Sequence, residues 1–84
     1  MSKLSDADFY DIVEYVCLNM DSFIENYNRF GSTLNLDDYI LTRTATQLNH
    51  KYSRYSVQEC FEHPKMQAII SFYSNNDTRS AKIH

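Results

Sequence analysis

Glycine and proline are almost missing from this 84-residue chain, which has one of each, Gly31 and Pro64. Sandwiches and barrels turn often and draw on both residues at their turns, so the scarcity argues against them and for helices. Tryptophan is absent, and the only cysteines, Cys17 and Cys60, stand far apart and in no close-spaced pair. Small disulfide scaffolds carry more, so these read as two reduced thiols of a cytoplasmic protein. No apolar run comes near the roughly 20 residues that a membrane-spanning helix needs. No basic start followed by an apolar run marks a signal peptide. The expectation is a soluble, cytoplasmic chain without membrane contact.

What is present suits a packed domain. Hydrophobic residues make up 43% of the chain and aromatic residues 14%, too much apolar material for intrinsic disorder. A chain of this length forms one domain and buries only about 60–65% of its unfolded surface, which leaves little room for an interior cofactor cavity. No cofactor is expected.

Three helix starts share one grammar: a capping side chain, an acid three residues on, and apolar residues flanking the pair. Ser5 is answered by Asp8 between Leu4 and Phe9, and Asn35 by Asp38 between Leu34 and Tyr39. Ser56 and Glu59 have the spacing of a capping box. The first helix is predicted over residues 6–29, with Phe9, Ile12, Val13, Val16, Met20, Phe23, Ile24 and Tyr27 on one stripe. Gly31 stops it, and Asp21 offers a cap for a second helix if the chain breaks at residues 19–22. The next helix spans residues 36–52 with Leu41, Ala45, Leu48 and Tyr52 as its apolar line. A brief helix follows over residues 57–62. Pro64 then excludes His63 from helical geometry and opens a last helix carrying Met66, Ile69, Ile70 and Tyr73. The predicted fold is all-α, a small bundle of four to five helices with short loops. Residues 1–74 form the domain and residues 75–84 a polar, flexible tail.

Charge is unevenly placed. Residues 1–38 hold eight acids against two bases, a net −6, and residues 39–84 three acids against six bases, a net +3, which together give the overall −3. Asp6, Asp8, Asp37 and Asp38 sit at helix starts, where the dipole favours them. Asp11, Glu14, Asp21 and Glu25 instead fall opposite the apolar stripe of the first helix, with Leu18 in their midst. This is either a solvated face with one stray leucine or a binding ridge whose acids steer a basic or mixed protein surface onto a leucine anchor. Tyr10 and Tyr15 flank it and are of a type enriched at interfaces. The tyrosine-bearing surface around Tyr52 and Tyr55 is the alternative interface. The complementary charge of the two halves also allows a homodimer.

Catalytic chemistry finds little support. Cys60 and His63 have half-site spacing, with His50 nearby in sequence, but a structural zinc wants four ligands and Cys17 would have to come from the far helix. No metal is expected. A cysteine nucleophile needs a base in contact, an orienting group and an oxyanion hole, none of which the sequence supplies. One glycine cannot build a phosphate loop. The reading is a non-enzymatic protein-interaction module: an adaptor, a regulatory subunit or an inhibitor, of the kind phages and mobile elements use against host proteins. The alternative is a helix-turn-helix DNA-binding regulator over residues 43–62, with Arg43, Lys51 and Arg54 on phosphates and Gln58 on a base. Acidity, Glu59, Glu62 and the stop at Pro64 argue against nucleic acid.

Overall fold

The structure is a computed structural model that describes the backbone of residues 4–83 and the side chains of residues 4–75. Four helices follow one another among the described residues: α1 (Asp6–Phe30), α2 (Leu36–Leu48), α3 (Arg54–Glu62) and α4 (Pro64–Ile83). No strand occurs among them. The tail expected over residues 75–84 lies, from residue 76 on, outside the described side chains.

α1 forms where its pattern demands. Ser5 holds an extended backbone and its hydroxyl accepts the Asp8 N–H at 3.1 Å, which satisfies one of the donors a helix start leaves open. The stripe then buries Phe9, Ile12, Val16, Met20, Phe23 and Ile24. Val13 and Tyr15 pack against its edge. The break entertained at residues 19–22 does not occur. Asn19 turns its amide back onto the Tyr15 carbonyl four residues earlier at 2.8 Å, and the stripe carries on without a phase shift. Gly31 ends the helix with φ +74, its N–H on the Tyr27 carbonyl at 2.9 Å. That sign of φ strains any side chain and leaves glycine free.

Two expectations need correction. The box at Ser56 and Glu59 does not cap α3. Ser53 does, three residues earlier, its hydroxyl accepting the Ser56 N–H at 3.1 Å. Ser53 has the same three-residue spacing to Ser56 that a capping hydroxyl needs, and Glu59 is drawn elsewhere, its Oε1 accepting the Leu4 N–H at 3.0 Å. α3 accordingly begins at Arg54 rather than residue 57. α2, in turn, ends at Leu48 instead of reaching Tyr52. The amides of Lys51 and Tyr52 both turn back to the Leu48 carbonyl, at 2.9 and 2.8 Å, and this closes the chain into a tight turn. The buried line of α2 is also rotated from the expected one: Ile40 and Thr44 are fully buried, Ala45 nearly so, while Leu41 and Leu48 lie at the edge.

α1 packs against each of the other three helices, α2 against α3, and α3 against α4. Val57, Cys60 and Phe61 of α3 and Met66 and Ile70 of α4 complete one core with the α1 stripe and Ile40. The joint between α3 and α4 is the single residue His63, extended as a residue before proline must be.

Two measurements check this account. Ser53→Ala should cost about 1 kcal/mol through the lost cap, and Ser56→Ala distinctly less, read by urea unfolding. Thr44 buries its hydroxyl without a hydrogen-bond partner among the described residues, an arrangement that costs about 1–3 kcal/mol relative to an apolar group of the same shape. Thr44→Val should therefore raise the thermal midpoint, and a lower midpoint would show that the hydroxyl is satisfied.

A candidate protein-binding surface on the first helix

The ridge takes shape from the same register that builds the core. With Ile12, Val16 and Met20 turned fully inward, Asp11, Glu14, Leu18, Asp21 and Glu25 all face out and are all exposed. Leu18 leaves 77% of its surface in solvent. Tyr10 is exposed and Tyr15 half-buried on the flanks.

Asp11 differs from its neighbours. Its Oδ2 accepts the Tyr52 hydroxyl at 3.0 Å and the Lys51 ammonium at 3.4 Å. The turn after α2 is the cause: by folding back on Leu48 it lays the buried Tyr52 ring against α1 and brings Lys51 over that ring, 5.4 Å from its centroid. These contacts hold the Asp11 carboxyl below its ordinary 3.8, the Tyr52 hydroxyl first and Lys51 second. The Lys51 ammonium is pushed up, chiefly by Asp11. Both charges are solvent-facing, so this clasp fixes geometry more than it adds stability. It is the only ion pair among the described residues. Glu14, Asp21 and Glu25 thus have no cation of their own there.

Beside the clasp lies a shallow hollow of about 250 Å³. Leu18, Tyr15, Leu48 and Tyr52 give it an apolar wall, while Asp11, Glu14 and Lys51 form its rim. The two interfaces offered as alternatives by the sequence, the ridge and the Tyr52 surface, therefore meet in one hollow. Tyr55 stands apart on α3, 84% exposed.

The residues of the DNA reading are arranged less favourably. Arg43 and Arg54 are exposed on α2 and at the start of α3, but Lys51 is engaged by Asp11. Gln58 opens into a hollow shared with Asp37, Asp38 and Glu62, a carboxylate setting that repels phosphate. The Cys60–His63 pair does not converge. Cys60 is fully buried and its thiol is pushed up to about 12 by burial, which leaves it neutral and a poor nucleophile or ligand. His63 lies on the surface with its ring 4.5 Å from that of Phe9 and its Nδ1 accepting the Lys65 N–H at 3.1 Å. Cys17 is half-buried and, like Cys60, a free thiol. No group of three or more metal-ligating side chains occurs among the described residues, and no helix there is long and apolar enough to cross a membrane.

Sequence reasoning did not anticipate a second hollow, of about 380 Å³, between the start of α1 and the α3–α4 joint. Phe9, Tyr10 and His63 line it beside Asp6, Glu59 and Lys65. The residues of this hollow are contributed from three helices and a joint, and no local spacing signals their meeting. Comparison with known proteins returns nothing: no protein family matches the chain, and neither does any curated protein or solved structure.

The Asp11 clasp has a pH signature. Because the folded-state value is lowered, its contribution is fully present above the unfolded value and is lost as pH falls through the folded value, below 3.8. The gap in thermal midpoint between the wild type and Asp11→Asn should hold at neutral pH and close below about pH 4. A gap that does not change with pH would show that the carboxylate charge plays no part.

Proposed function

We propose that this chain is a protein-interaction module, an adaptor, regulatory subunit or inhibitor of a larger protein, which docks its partner on the outward ridge of α1. One observation carries the reading: Leu18, 77% exposed, stands among carboxylates that have no cation among the described residues and at the edge of an apolar hollow. Left in water, such a leucine contributes little to folding, within about half a kcal/mol. Covered by a partner, it gains about 1.5–3 kcal/mol from burial. The surrounding acids then act at longer range, drawing a basic or mixed surface toward the ridge and rejecting acidic ones.

This division of labour separates two measurements. Leu18→Arg should leave the helical signal and the thermal midpoint nearly unchanged and weaken partner binding at least about tenfold. The partner would be captured from cells that express the chain and then measured by calorimetry. Reversing Glu14 and Glu25 to lysine should mainly slow association, and more at low salt than at high. A Leu18→Arg variant that binds its partner normally would move the interface elsewhere. Nanomolar, sequence-specific duplex binding lost in Arg54→Glu would replace the protein-binding reading with the DNA one.

A further inference from the structure

One helix row on the ridge connects the two hollows. Tyr10, Glu14 and Leu18 succeed one another at steps of four along α1. Tyr10 lines the larger hollow near the α3–α4 joint, and Leu18 lines the smaller one beside Tyr52. Both are exposed apolar side chains, at 57% and 77%. Eight residues of helix place them about 12 Å apart along the axis. Carboxylates accompany the row throughout: Asp6 and Glu59 in the larger hollow, Glu14 in the middle, and Asp21 and Glu25 beyond Leu18.

We infer that the partner element is a basic amphipathic helix, laid along α1, whose two apolar side chains seven or eight residues apart enter the two hollows. This rests on the docking ridge proposed above and specifies its occupant. Three observations select that occupant. The charged residues that α1 itself contributes from Asp6 to Glu25 are all acids, while Lys65, 6.0 Å over the Tyr10 ring, and Lys51 stand at the two hollows, so the facing element is cationic between its anchors. A second copy meeting the ridge across a two-fold axis would set the acids of one α1 against the acids of the other, and such like-charge pairing is unfavourable. Last, no strand edge exists among the described residues. An extended peptide would thus find no backbone ladder to join, whereas a helix satisfies its own backbone hydrogen bonds and needs only side-chain contacts. The axial rise from Tyr10 to Leu18 is that of about two turns, and the pair is offset by about 80° around α1, so the partner helix crosses α1 obliquely along this row.

The test uses two synthetic probes. One is a capped lysine–alanine peptide of about fifteen residues with two leucines about seven residues apart on one face. The other has the same composition, with the leucines on opposite faces. Amide shifts of the labelled full chain map the contact, and titration gives the affinity. The first peptide should shift residues from Tyr10 to Leu18 and bind at least about fivefold more tightly than its isomer. Tyr10→Ala and Leu18→Ala should each reduce the first peptide to the level of the second. Equal binding of the two peptides, still dependent on Leu18, would overturn the two-anchor helix and leave the docking ridge standing. Binding of the first peptide that is indifferent to Leu18→Ala would overturn both. Failure of the first peptide to bind, or concentration-dependent self-association mapping to the same row, would overturn the helix as occupant.

Discussion

The inward stripe of α1 is the constraint on which everything else hangs. Ile12, Val16 and Met20 have no solvent exposure, and α1 touches every other helix. In so small a domain there is no second core to take over if this one shifts. Truncating any of the three would remove about 2–5 kcal/mol, a large part of the stability a domain this size possesses. The stripe also fixes what faces outward. A helix has one phase, so burying Val16 forces Leu18 and Glu14 into solvent. The outward ridge is the geometric complement of the core, and neither can be moved without the other.

The fold was most legible where one helix carries its own instructions. The caps at Ser5 and Asn35 work as spaced, each accepting the N–H three residues on, and the stripe of α1 runs as written. Reading failed where two local solutions competed or where a polar residue took a buried place. Ser53 and Ser56 are both capping residues, and only the fate of Glu59, bound to Leu4 across the molecule, removes the second box. In α2 the line from Ile40 to Thr44 goes inward although threonine is polar, so a periodicity built on apolar letters chose the neighbouring row.

The candidate site divides in the same way. Its exposed row was visible because it needs only the pitch of one helix. The clasp of Asp11 with Lys51 and Tyr52 was not, because it joins residues some forty positions apart. Nothing local tells Asp11 from Glu14. The turn that swings Tyr52 back onto α1 makes the distinction, and it converts a loose acidic face into one with a firm wall at one side and three carboxylates along it that pair with no cation among the described residues.

The joint between α3 and α4 has a different kind of consequence. One residue, His63, separates the two helices, with its ring against Phe9 and its imidazole nitrogen on the first turn of α4. Adding or removing a residue there would rotate everything downstream by about 100° and carry Met66 and Ile70 out of the core. The connections at residues 31–35 and 49–53 are five residues long each, where this joint has one. The α3–α4 junction is therefore held to a fixed count by the geometry of the helices it joins.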